Sequence, residues 1–319
     1  MSKHANPYGY GPPPQNLHCF CYDQALVPRF SQITSWLTVE VQTASAGRYE
    51  HALAEENGAG RPAIMPRLRV LISDAHEDAR LRLRRLASGS LDPLAEPDER
   101  DPADGYPQRL HIQTLKGYFG EILAGAVAEN LHPFGIKDWE VPAYLFRFHL
   151  VEFQQLDMMD QTGADAELRP GRTGDDCLAF SRDADGDIVA VLFCEAKCTA
   201  NHDAGLIADA HEKSSLPNLL PVDLLQVIDV LEDSAEPAAA RWVDALRRLY
   251  FKGPNPGSDY ERLDQVTYIC GRSPVKPGRN NWISPDKPHV KYTATRRLHV
   301  AEIHLSDVEA LVKDAYGVV

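Results

Sequence analysis

The sequence predicts an α/β protein, a mixed central β-sheet flanked by helices and preceded by an N-terminal α+β extension. Three observations lead there. Ile188-Val-Ala-Val-Leu-Phe-Cys194 is apolar on both faces, as in a strand buried in the middle of a covered sheet. From about Arg109 to Leu131, Leu115, Phe119, Ile122, Leu123, Ala126 and Val127 fall on one stripe at helical spacing. Later, helical segments over Val222–Glu232 and Ala238–Tyr250 are followed by strand-like runs at Val266–Cys270 and around Leu298, Val300, Ile303 and Leu305.

In chain order, residues 1–16 are rich in Pro and Gly and read as a disordered or pinned tail. Residues 17–108 read as the N-terminal α+β region. Within it the alternation of Ile33, Trp36, Leu37, Val39 and Val41 predicts a strand, Leu68–Ile72 a second, and Asp74–Leu86 a short charged helix. Asp92 to Gln108, with its prolines and acids, reads as an exposed connector. The core occupies 109–319. After the long helix, Tyr144–Leu150 alternates as a strand, and Asp176–Ser181 and Asp187–Lys197 read as a hairpin turned at Asp185-Gly186. Pro221 and Pro237 suit first helical turns, and Ser306 is placed to cap a terminal helix carrying Val308, Leu311 and Val312.

Composition bounds the function. With 44% hydrophobic and 25% charged residues, the 319-residue chain has ordinary globular usage. Neither a cationic segment leading into an apolar run at the N-terminus nor a stretch of about 18 uncharged apolar residues is found, so the expected location is the cytoplasm, away from membranes. Six cysteines are few, and most sit in apolar, strand-like runs that favour reduced thiols. His18-Cys19-Phe20-Cys21 lacks a second Cys/His pair at finger spacing. A net charge of −13 opposes nonspecific nucleic-acid binding. Between Gly271 and Arg297, however, lie Arg272, Lys276, Arg279, Lys287, Lys291, Arg296 and Arg297 with Asp286 the only acid, alongside Trp282 and Tyr292. This stretch is either a solvated loop or a phosphate-contacting surface.

The chemistry concentrates at Glu195-Ala196-Lys197. Strand alternation sends Glu195 and Lys197 to one face and Cys194, Ala196 and Cys198 to the other. A carboxylate and an ammonium ending a buried strand require pairing, hydration or an ion. Glu-x-Lys by itself occurs by chance in chains of this size, and a surface ion pair is its plain explanation. The context adds weight, because hairpin pairing brings Asp176 towards Glu195. Two carboxylates beside one lysine suit Mg²⁺ or Mn²⁺. Asp183–Asp187 reads as the hairpin turn rather than a calcium loop, and His202 and His211 as solvated or core histidines.

Helix, hairpin with an Asp at its first strand, Glu-x-Lys on its second, and a following helix together resemble the PD-(D/E)xK nuclease superfamily, over about residues 110–270. The resemblance implies a restriction-endonuclease-like core, with Asp176 and Glu195 as metal ligands, Lys197 as catalytic lysine and Glu121 as an additional acid and ligand from the preceding helix. Gln226 matches a polar position beside such sites, and the nucleic-acid contacts would fall to Gln226, Arg272, Lys276, Arg279 and Lys291. Two departures stand out. No Pro precedes the Asp, and Asp175 rivals Asp176, which is preferred because the family's acid usually opens the strand. More narrowly, Leu115-Lys-Gly-Tyr-Phe-Gly-Glu121, Gly174-Asp-Asp176 and Cys194-Glu-Ala-Lys197 resemble the nuclease subunits of Hachiman anti-phage systems. That likeness implies DNA as substrate and a superfamily 2 helicase as partner. The competing expectation is the same fold used as a noncatalytic binding module, with Glu195 and Lys197 as a structural ion pair.

Overall fold

The computed structural model describes residues 33–44, 47–88, 101–146, 176–218, 220–221, 223–234, 237–252, 260–275 and 280–318. The predicted N-terminal tail, the Cys19/Cys21 pair, the loop through Asp175, Lys276 and Arg279 lie outside these residues, as do residues 147–150 of the strand expected at Tyr144–Leu150. The elements are a helical turn α1 (Ile33–Trp36), β1 (Leu37–Thr43), β2 (Tyr49–Glu56), α2 (Arg61–Ala75), α3 (Glu77–Ser88) and α4 (Ile112–Leu131). There follow β3 (Cys177–Arg182), β4 (Ile188–Thr199), α5 (Ala204–Ser214), α6 (Leu224–Glu232), α7 (Pro237–Lys252), β5 (Glu261–Cys270), β6 (Leu298–His304) and α8 (Val308–Tyr316).

One six-stranded sheet runs in the order β1-β2-β6-β5-β4-β3. The four inner strands are parallel, and β1 and β3 close the edges antiparallel. The α/β expectation with a mixed sheet flanked by helices therefore describes this molecule. The region before residue 109 contributes β1 and β2 to the same sheet, through the pairing of β2 with β6. Parallel strands point their carboxyl ends to one side, and that is where α/β sheets place ligands.

Several local expectations are corrected. Leu68–Ile72 is not a strand but part of α2, whose buried Ile64, Met65, Leu68, Leu71, Ile72 and Ala75 follow helical spacing. The five-residue apolar run conceals a longer 3.6-residue period. Ile33–Trp36 forms a helical turn before the strand begins at Leu37. Tyr144–Phe146 carries no strand assignment. Within the expected connector, Ala103 and Tyr106 are buried. Asp307, at φ +47°, caps α8 through its Oδ1 and the Ala310 amide at 3.1 Å, while Ser306 bonds Glu56 instead. Pro237 opens α7, but α6 starts three residues beyond Pro221, after Asp223.

Three apolar clusters hold the layers together. The largest joins α2, α4 and α8 to the sheet face carrying Leu192, Cys194 and Ile303. Here α4 is enclosed, with Lys116, Glu121 and Glu129 buried beside its apolar residues, as expected of a helix that is hydrophobic nearly all round. Gly120 permits the approach, because a Cβ there would stand 3.3 Å from Cys198 Cβ and 3.6 Å from Ala196 Cβ. On the opposite face, α6 and α7 cover Val191 and Phe193, and α5 covers Val266 and Tyr268.

Candidate active site

The hairpin turn is built by Asp183, whose amide bonds Asp187 O at 2.9 Å, and by Gly186 at φ +79°, a conformation that favours glycine. Its register pairs Cys177 with Cys194, and one residue further the Asp176 amide donates to Cys194 O at 3.1 Å. Asp176 Oδ2 in turn accepts the Ala196 amide at 2.8 Å. The expected approach of Asp176 to the end of β4 is thus present.

Glu195 and Lys197 share the β4 face covered by α5, as alternation requires. Lys197 Nζ stands 2.8 Å from Glu195 Oε1 and 2.7 Å from Asp209 Oδ2 of α5. Lys213, one turn along α5, reaches Glu195 Oε1 at 3.1 Å. Glu195 is buried and Lys197 nearly so, whereas Asp209 and Lys213 face solvent more openly. Two lysines therefore meet at one buried carboxylate, with Asp209 as their second acid and Asp176 beside Glu195.

Burial pushes the Glu195 carboxyl up, and the charge of Asp176 adds to this; together they outweigh Lys197 and Lys213 and place it at about 7. Burial opposes charge on Lys197 too, but there Glu195 and Asp209 prevail and hold its ammonium above the ordinary lysine range. Lys197 has two acidic partners, while Glu195 gains two ammoniums but suffers both desolvation and a neighbouring anion. A carboxylate so poised is short of positive charge.

Glu121 is buried on α4. Its charge acts on Cys177 and Tyr316, whereas Glu195 responds to Asp176, Lys197 and Lys213. The structure thus groups Asp176, Glu195 and Lys197 and sets Glu121 with the α4 side of the sheet. Gln226 is half-buried on α6, beside the cluster that covers Val191 and Phe193, the residues preceding Glu195 on its face.

No protein-family model matches the chain, and no curated protein matches it.

The basic stretch is partly absorbed by structure. Arg296 bonds the fully buried Asp264 at 2.8 Å together with the carbonyls of Ser214 and Leu216, and Arg297 lies over the Phe134 ring. Lys291 pairs with Glu212 at 3.2 Å, near the end of α5. The Arg272 carbonyl accepts the Trp282 indole, whose ring stacks on His202 at 3.7 Å. His211 is a core histidine with Nδ1 on the Ile207 carbonyl.

Sequence reasoning missed α5 as a helix, and with it Asp209. The signals were present. Asp203 caps the helix, accepting from the Gly205 amide at 2.8 Å, and Ile207, Ala210, His211 and Ser214 are buried at helical spacing. Asp176 and Glu195 offer oxygen donors of the kind that a hard divalent ion takes. Among the described residues, no group of three or more His, Cys, Asp or Glu gathers into a fuller set of ligands. Among the same residues no helix is long and apolar enough to cross a membrane.

Proposed function

We propose that the chain is a metal-dependent nuclease with a restriction-endonuclease-like core, hydrolysing DNA phosphodiesters at Asp176, Glu195 and Lys197. One observation carries the reading. Asp176 and Glu195 converge across the β3–β4 hairpin on a carboxyl held near 7, beside a lysine kept charged. Asp176 and Glu195 would hold Mg²⁺ or Mn²⁺, which would bring positive charge to a scissile phosphate and make a nearby water more acidic. Lys197, being protonated, is a donor rather than a base; it orients a phosphate oxygen or the attacking water and offsets charge that develops in the transition state. Lys213 is placed to do the same from the more open side, and phosphate would draw it from Glu195. The net charge of −13 then assigns much of the DNA affinity to a partner, for which a superfamily 2 helicase in a cytoplasmic anti-phage complex is the fitting candidate.

A second reading is favoured by one contact. Lys197 lies 2.7 Å from Asp209 as well as 2.8 Å from Glu195, an arrangement that would also serve a noncatalytic binding module. Incubation of the purified chain, alone and with the product of its neighbouring gene, with plasmid and single-stranded DNA separates the two. Cleavage in Mg²⁺ that EDTA abolishes is expected, and intact DNA in every combination would leave the binding module.

A further inference from the structure

A cavity of about 350 Å³ opens at the carboxyl ends of β2, β5 and β6, with Glu55, Glu56, Ser273 and His304 in its wall. It lies two strands across the sheet from Lys197, since Lys197 pairs with Tyr268 and Tyr268 with Glu302. Neither Asp176 nor Glu195 contributes to it.

Glu302, two residues before His304, is wholly buried yet saturated with donors. It accepts from His304 Nε2 at 2.7 Å, His51 Nε2 at 3.3 Å and the amides of Trp282 and Ile283. Each of its two oxygens already accepts a backbone amide, so it meets His304 as an acceptor too: the His304 ring hydrogen belongs on Nε2, and in the neutral imidazole the lone pair belongs on Nδ1. That Nδ1 is buried and makes no hydrogen bond. It faces Glu55 Oε1 across 3.8 Å, beyond hydrogen-bonding range. Glu56, by contrast, is fully engaged with Arg61, Trp36 and Ser306.

Two acceptors confronting each other in this way call for a cation between them. We propose that His304 Nδ1 and Glu55 bind a borderline divalent transition-metal ion of the Zn²⁺ class, with water completing its shell. Metal–nitrogen and metal–oxygen bonds of about 2.1 Å at a tetrahedral angle span roughly 3.4 Å, so a shift of a few tenths of an ångström in the exposed Glu55 side chain would close the site. Imidazole selects such ions over Mg²⁺ and Ca²⁺. The bond from His304 Nε2 to Glu302 fixes the tautomer and orientation of the ring, as carboxylates behind metal-binding histidines do.

The test is Co²⁺ titration of the EDTA-stripped full-length chain in excess Mg²⁺, followed by visible absorption and calorimetry. The Cys19→Ser/Cys21→Ser variant removes thiolate sites from the background. One bound Co²⁺ is expected in that variant, with affinity at least tenfold weaker in Glu55→Gln and lost in His304→Ala. Because Glu55 is exposed, its variant reports even if His304→Ala does not fold. The Asp176→Asn/Glu195→Gln protein should bind Co²⁺ unchanged, which separates this site from the nuclease reading. Absence of Co²⁺ uptake, its disappearance with the two cysteines, or equal affinity in Glu55→Gln would overturn the proposal.

Discussion

Replacing Lys197 with Met removes one of the two ammoniums at Glu195 while keeping the aliphatic stem. The Glu195 carboxyl stands at about 7 in the fold against 4.5 ordinarily. A raised folded pKa means that the fold binds the proton more tightly. The resulting stability is complete below about 4.5 and is lost as pH rises through about 7. Lys197→Met raises that pKa further. Near pH 7 the carboxyl can answer by keeping its proton, so the added loss stays under about 1 kcal/mol. Near pH 9, about two units above the wild-type value, keeping the proton itself costs about 3 kcal/mol, at ~1.4 kcal/mol per unit, and the loss can rise to that bound. Loss of the pairing with half-exposed Asp209 adds less than about 1 kcal/mol at either pH. Urea denaturation of both proteins in EDTA, from about pH 6 to about pH 9, reads the difference. Mg²⁺ should flatten the profile by neutralising Glu195. A destabilisation equal at both ends of the range, or larger at the acid end, would refute the electrostatic account of this site.

Other outcomes follow from the same structure. The isolated chain should bind DNA weakly, with affinity appearing once a helicase partner is added; nanomolar, salt-sensitive binding by the chain alone in a gel-shift titration would contradict this. Arg296→Ala should lower stability by about 3 kcal/mol in urea, since it strips the buried Asp264 of one partner, and should leave DNA affinity of the partnered complex nearly unchanged. Gly271→Ala should destabilise by about 1–3 kcal/mol, because its Cβ would run into the Ala200 carbonyl oxygen just beyond β4; a melting temperature equal to wild type would show that the loop yields freely.

The parts of the fold legible in the sequence are those where burial is uniform along an element. β4 announces itself because both faces are covered, and α4 because its apolar residues outnumber its charges. β2 does not. Its Glu50, His51, Glu55 and Glu56 disguise a strand that owes its place to pairing with β1 and β6. The hairpin register, and with it the meeting of Asp176 and Glu195, follows from a turn at Asp185-Gly186 and two strands of known length. The Asp209 counter-charge was illegible as a site residue because α5 comes back over the β4 face only in three dimensions. The buried Glu302 network is likewise a product of register: His51 and His304 come from strands far apart in sequence.

The central claim rests on Asp176 and Glu195 acting together in hydrolysis. Its most direct test is a time course of DNA cleavage in Mg²⁺ by wild type, Asp176→Asn and Glu195→Gln, each assembled with the same helicase partner and checked for folding by circular dichroism. Both substitutions keep shape and remove only charge; the proposed function predicts that wild type cuts while each variant is inactive yet as stable as wild type, or more so above about pH 7, where mutual repulsion is relieved. Mg²⁺-dependent cleavage at the wild-type rate by either variant would contradict the assignment.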